Sequence, residues 1–227
     1  TVWTGSRRPP PNPTRPYRRV VPRARNRVAT DFPYLPIGTY FSFPPAAQAT
    51  PDGILGHGGN LSPGMLDSAY RQGVFPWFSE DDPILWWSPD PRFVLFPDRF
   101  HMPRSLRRFL RKRPYRFTLD LAFERVIEAC ATIPRPGQPG TWITAAMIDA
   151  YCELHRLGRA HSVEVWRGPD LVGGVYGVAV GALFAGESMF NHADNASKSA
   201  LAVLCDELAR RGARVFDCQV YTEHVAA

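Results

Sequence analysis

Residues 171–190 read LVGGVYGVAVGALFAGESMF, and few folds can accommodate such a stretch. Its five glycines, Gly173, Gly174, Gly177, Gly181 and Gly186, argue against one continuous helix, because each costs about 1 kcal/mol relative to alanine in a helix interior. The remaining residues are apolar or aromatic and fit two buried strands that meet near Gly181. A single acid, Glu187, stands with Ser188 between apolar neighbours near the end. Glycine weakens a strand unless something must come close to its backbone. Two readings follow: a tight core hairpin with bulges, or a hairpin on which a substrate lies.

The flanking sequence supplies partners for such a hairpin. Ser62, Pro63 and Gly73 occupy N-cap, N1 and C′ positions of a helix whose apolar face is Met65, Leu66, Ala69 and Tyr70. Aromatic blocks follow, Phe75-Pro76-Trp77-Phe78 and Ile84-Leu85-Trp86-Trp87. Most of these rings read as a small core, and Trp77, just after a helix end and a proline, as one able to face a cleft. Further helices are expected over 103–113, 122–131, 145–157 (N-cap Thr144) and 196–211, and strands over 115–120, 161–167, 171–180, 182–190 and 214–221. This order is an α+β layout around a mixed β-sheet. Residues 1–30, rich in Pro and Arg, read as a disordered extension.

Charge is unevenly placed. The net charge of +6 owes much to residues 1–28, which hold eight arginines and no acid. A second basic block contains Arg104, Arg107, Arg108, Arg111, Lys112, Arg113 and Arg116, with no acid between Arg99 and Leu119. Leu106, Phe109 and Leu110 give its helix a buried stripe, leaving the arginines on other faces. Unrelieved repulsion of this kind favours a polyanion partner, and a phosphate backbone fits it.

Polar residues in apolar strands point to chemistry. Asp217 and Gln219 are two apart, so a strand over 214–221 sends both to one face and Cys218 to the other. With Glu187 they form either a buried structural hydrogen-bond network or the polar catalytic end of an apolar pocket lined by Val175, Phe184, Met189, Leu201 and Leu204. The four cysteines are scattered without a CxxC, and the histidines lack metal-ligand spacing, so neither a zinc site nor a disulfide frame is expected. No P-loop, GxSxG or HExxH occurs, and no glycine-rich loop opens the helix over 196–211 to hold a pyrophosphate. No apolar run reaches membrane-spanning length, and the N-terminus has no signal-peptide h-region.

Ordered blocks from residue 51 to residue 224 carry a resemblance. They include Gly58-Gly59-Asn60-Leu61-Ser62-Pro63, Phe75-Pro76-Trp77-Phe78, Trp86-Trp87-Ser88-Pro89-Asp90-Pro91-Arg92, Thr141-Trp142-Ile143-Thr144, Gly186-Glu187-Ser188-Met189-Phe190, Asn195-Ala196-Ser197-Lys198 and Asp217-Cys218-Gln219. In these the chain resembles the bacterial leucyl/phenylalanyl-tRNA–protein transferases. The resemblance implies a small N-terminal domain (31–97) and a catalytic domain (98–227) of the acetyltransferase-like, GNAT type. It implies a cytoplasmic enzyme, expected to be a monomer, that moves Leu, Phe or Met from aminoacyl-tRNA to the N-terminal Arg or Lys of a protein, marking that protein for degradation. No metal or coenzyme is called for, since an aminoacyl ester is already activated.

By the same resemblance, Trp77 and Trp142 are candidates to stack the terminal adenosine, and the basic helix is expected to hold the tRNA backbone. Gln219 would lie beside the attacking amine with Asp217 orienting it, Glu187 would hold a positive group, and the hairpin glycines would form the floor under the aminoacyl end. Where the family usually continues after the His with Ser-Leu-Gly-Ala and a further strand, this chain reads His224-Val225-Ala226-Ala227. That departure keeps open a tRNA-binding protein without activity, beside a related tRNA-dependent acyltransferase acting on a peptidoglycan precursor.

Overall fold

The computed structural model describes residues 32–134 and 141–220. The Arg/Pro-rich stretch, most of the Pro/Gly loop before Thr141 and the departure at residues 224–227 lie outside the described residues.

Helix α1 (Pro63–Arg71) starts with Pro63 at its first turn and is followed by Gly73 at φ +73°. Ser62 does not cap it with its hydroxyl, which instead accepts from the Leu35 N–H at 3.1 Å. Strands β1 (Ile54–His57), β2 (Phe75–Pro76) and β3 (Leu85–Trp87) form a small antiparallel sheet in the order β1-β3-β2. The aromatic blocks predicted to form a small core are found there, with Trp86 and Trp87 buried.

A six-stranded sheet makes up the rest. It contains β4 (Val94–Leu95), β5 (Arg116–Leu119), β6 (Ala160–Arg167), β7 (Asp170–Val180), β8 (Leu183–Asn191) and β9 (Val215–Asp217), in the order β4-β9-β8-β7-β6-β5. All pairings are antiparallel except β8 with β9. A parallel pair needs a long crossover, which α5 (Ala196–Arg210) supplies. The mixed α+β sheet predicted from the element order is therefore present.

The core is divided by this sheet. On one side Tyr176, Val178, Ala185 and Phe190 pack with α1, α3 (Phe123–Thr132), α4 (Ala145–Arg156) and the small sheet. On the other, Val163, Val165, Val175, Phe184 and Phe216 pack with α5, and Phe109 of α2 (Arg104–Arg111) borders them. Thr144 caps α4, its hydroxyl accepting from the Met147 N–H at 3.3 Å.

The hairpin is a tight core element with a bulge, and protein atoms rather than open space lie against Gly173, Gly174, Gly177 and Gly186, Gly181 at the turn alone standing open. A Cβ on Gly177 would lie 2.2 Å from the Ala185 carbonyl oxygen, and one on Gly186 would lie 2.6 Å from the Phe216 ring. Protein atoms already fill the space that glycine leaves at both positions. Tyr176 pairs with Ser188, but Gly177 pairs with Gly186, so Glu187 is the extra residue of a bulge. Bulges turn a side chain out of the regular alternation and are frequent at functional sites.

Candidate active site

Three separate elements deliver polar groups to Glu187. Its side chain faces the α1/α4 side of the sheet. Oε2 accepts from the Tyr151 hydroxyl of α4 at 3.0 Å, and Oε1 accepts from the Gln219 amide Nε2 at 2.7 Å. Tyr151 is also hydrogen-bonded to the hydroxyl of Tyr70 on α1. Both hydroxyls therefore converge on the carboxylate, and Tyr70, Tyr151 and Glu187 form one hydrogen-bonded cluster.

Gln219 reaches Glu187 by a route that strand periodicity does not describe. The strand expected over 214–221 ends at Asp217, and Gln219 lies in the left-handed region at φ +63°. Asp217 holds this turn, its Oδ1 accepting from the Gln219 backbone N–H at 2.8 Å. The orientation predicted for the pair is thus made through the main chain, while the side-chain amide is engaged by Glu187. An ionised carboxylate can only accept, so the amide presents its NH2 to Glu187 and its carbonyl oxygen lies on the other side of the group.

Asp217 is itself clamped. Arg92 donates from Nε to Oδ1 at 2.8 Å and from Nη2 to Oδ2 at 2.6 Å, a bidentate pair. The guanidinium lies over the Phe75 ring, 4.8 Å from its centroid. The backbone next to Arg92 joins in, since Phe93 O accepts from the Cys218 N–H at 3.0 Å and Val94 pairs with Asp217.

Burial sets the electrostatics. Desolvation pushes Glu187 up to about 7, the charge of Asp217 adds to the rise, and the bonds from Tyr70, Tyr151 and Gln219 oppose it. The Tyr70 and Tyr151 hydroxyls are held well above the usual phenol range, first by burial and then by the negative charge of Glu187. A carboxyl group that changes charge near neutrality, beside phenols held well above that range, is suited to take and return a proton.

The other predicted site residues are dispersed. Val175, Phe184, Leu201 and Leu204 are buried in the core between the sheet and α5, and Met189 borders it, on the face opposite Tyr151. They do not form a pocket with Glu187, because the pleat and the bulge send the strand residues to the other side, where α5 carries Leu201 and Leu204. Trp77 packs on Trp87 with ring centroids 5.2 Å apart, two residues after the Phe75 ring that carries Arg92. Trp142 lies two residues before the cap of α4, the helix that carries Tyr151, and both tryptophans border the same core. Arg104, Arg107, Arg108, Arg111, Lys112 and Arg113 are all exposed on or just after α2, anchored by the buried Leu106.

Three residues of the cluster escaped the sequence. Tyr70 was counted only as part of an apolar helix face, Tyr151 was hidden in a helix, and Arg92 stood in a motif without a role. The usable signal was Arg92, a cation set between an aromatic block and a short strand.

Fold and cluster define a mixed α+β protein with a carboxylate, an amide and two phenols joined by hydrogen bonds in its interior. More particularly, the chain belongs to the leucyl/phenylalanyl-tRNA protein transferase family. The family model of that description matches residues 94–227, and the model of the family's N-terminal domain matches residues 59–90. The leucyl/phenylalanyl-tRNA–protein transferase of Syntrophus aciditrophicus is 56% identical over 194 residues, 86% of this chain and 81% of that protein. That of Escherichia coli O1:K1 is 54% identical over 187 residues, 82% of this chain and 79% of that one. Among solved structures, L-PGS from Bacillus licheniformis gives a TM-score of 0.39 at 12% identity, covering 60% of this chain and about half (49%) of that one. No helix among the described residues is long and apolar enough to cross a membrane.

Proposed function

We propose that this chain transfers Leu, Phe or Met from aminoacyl-tRNA to the N-terminal Arg or Lys of a protein, acting as a cytoplasmic monomer and marking that protein for degradation. The reading rests on family membership together with one observation, the Gln219–Glu187–Tyr151 hydrogen-bonded cluster. We read residues 98–227 as the catalytic domain, of the acetyltransferase-like type, and residues 31–97 as a smaller N-terminal domain.

In this mechanism the acceptor's α-ammonium gives one proton to ionised Glu187 and becomes a nucleophile. Its nitrogen attacks the ester carbonyl, forming the C–N bond. The C–O bond to the ribose then breaks, and the second proton lost by the nitrogen ends on the ribose oxygen, directly or through water. Gln219 places the nucleophile by accepting an N–H at its amide oxygen, the side not committed to Glu187. A neutral amide is too weak a base to take the proton itself, so its contribution is alignment. Asp217 fixes Gln219 through the backbone.

Trp77 and Trp142 are proposed to stack the terminal adenosine. The exposed cations of α2 take the tRNA backbone, where contacts blind to sequence suffice. Two sequence expectations are not carried forward: the apolar pocket through Val175 and Phe184, and the glycine floor.

Incubation with labelled Phe-tRNA and a protein beginning with Arg tests the reading. Label on the protein's N-terminus is the expected result. Retained tRNA binding without transfer would show a binding protein instead, and transfer to a peptidoglycan precursor would show the related acyltransferase.

A further inference from the structure

The proposed reaction uses Glu187, Gln219 and Asp217 but leaves Arg92 unexplained, although its guanidinium makes the one bidentate ion pair at the site among the described residues. Its side chain is 22% exposed and that of Asp217 only 6%, so the pair is largely withdrawn from water. Deep pairs of this kind contribute little net stability compared with apolar packing, and their better attested use is to fix an arrangement. Here the arrangement is the turn that carries Gln219.

We propose that Arg92 is a positioning residue for the transfer reaction, compensating the charge of Asp217 and locking the 217–219 turn so that the Gln219 amide is held against Glu187. This inference rests on the reading of Glu187 as the proton acceptor.

Three independent contacts converge on the turn from the Arg92 side. The fork binds both carboxylate oxygens, Phe93 O takes the Cys218 N–H, and the Phe93 N–H donates to Gln219 O at 3.4 Å, while the Phe75 ring supports the guanidinium face. Asp217 then has one oxygen shared between Arg92 and the Gln219 N–H. Without the fork, the carboxylate is free to turn from the Gln219 main chain, and the left-handed conformation at Gln219 keeps only the Phe93 N–H bond to its carbonyl oxygen, 3.4 Å long.

The charge matters as much as the geometry. The charge of Asp217 acts on Glu187, which is otherwise surrounded by the Gln219 amide and by hydroxyls: Tyr70 from α1, Tyr151 from α4 and Tyr176 from β7, whose ring lies against that of Tyr151. Arg92 is the cation bound to this group. Remove it, and the uncompensated charge on Asp217 makes the pair bind a proton at higher pH. Fewer molecules would then hold Glu187 as the base at neutrality.

The test is the pH dependence of kcat/KM for Phe transfer, from pH 6 to pH 9, expressed as the ratio of variant to wild type so that titration of the acceptor amine cancels. Arg92→Met is expected to lose several-fold more activity at pH 6.5 than at pH 9, a displacement of one unit giving at most a factor of about ten. Arg92→Lys keeps the charge but not the fork. It is expected to show a pH-independent loss in kcat with KM for Phe-tRNA unchanged. Arg92→Met combined with Asp217→Asn removes both charges and is expected to return the pH dependence to that of wild type while activity stays low. A loss in Arg92→Met that is equal at every pH would overturn the proposal and leave Arg92 a structural residue. Should Arg92→Met fail to fold, Arg92→Lys with full kcat would overturn it equally. If instead Glu187→Gln keeps wild-type kcat/KM over the same range, it is the role of Glu187 that fails, and the inference falls with it.

Discussion

At the scale of single residues, the informative quantity is the proton on Glu187. Burial pushes its carboxyl up to about 7 from an ordinary 4.5. Between those values the folded chain keeps a proton that the unfolded chain has released, so stability falls as pH rises through this window. The cost is fully developed above about pH 7 and is on the order of a few kcal/mol. Glu187→Gln has no such charge to bury. It is expected to raise the melting temperature at pH 8 and to change it much less at pH 5, while reducing transfer. Thermal unfolding at the two pH values checks this, and an equal shift at both would deny the buried titration. The spacing of Asp217 and Gln219 was legible in the sequence, as was the oddity of Glu187 among apolar neighbours. The manner of their meeting was not. Period-two alternation assumed a strand that stops at Asp217, and a left-handed residue at Gln219 leaves no signature in the chain. Tyr70 and Tyr151 were invisible for a different reason: each sits on a helix face that packs into the core, and the partner that makes it polar lies far away in sequence.

At the scale of elements, helix boundaries followed from caps and glycines, and α1, α4 and α5 lie close to where those signals put them. The hairpin was legible as two buried strands, but its bulge was not. Phe184 and Glu187 are three apart and so point to opposite faces of a regular strand, which already argued against a shared pocket. Met189, two from Glu187, is sent to the far side only by the bulge, which depends on pairing with β7 rather than on local sequence. Helix α2 presents its function more openly. Leu106 ties it to the protein and its cations stay in water. Each phosphate neutralised should steepen the dependence of log K on log salt by roughly 0.7 to 0.9. Replacing Arg107 and Arg108 by Gln is therefore expected to weaken tRNA binding at low salt and to flatten that slope by about 1.4 to 1.8, if both contact phosphate. Binding titrations at several salt concentrations measure it, and an unchanged slope would remove α2 from the tRNA interface.

At the scale of the whole molecule, the site is shared between the two ends of the described chain. Tyr70 and Arg92 come from the segment matched by the family's N-terminal model and its border, whereas Tyr151, Glu187, Asp217 and Gln219 come from the remainder. The core joins the same parts, since α1 and the small sheet pack with α3, α4 and β7. Strand β4 adds a further link, entering the large sheet beside β9 directly after Arg92. This architecture explains how residues more than a hundred positions apart hold one amide in place. It also makes that amide the point at which the account is most exposed. The direct measurement is single-turnover transfer of Phe from saturating Phe-tRNA to a saturating protein beginning with Arg, comparing Gln219→Ala with wild type. Loss of alignment predicts a rate lower by about 10²-fold, with the folded state retained. An unchanged rate would contradict the assignment of Gln219 and with it the catalytic reading of the cluster.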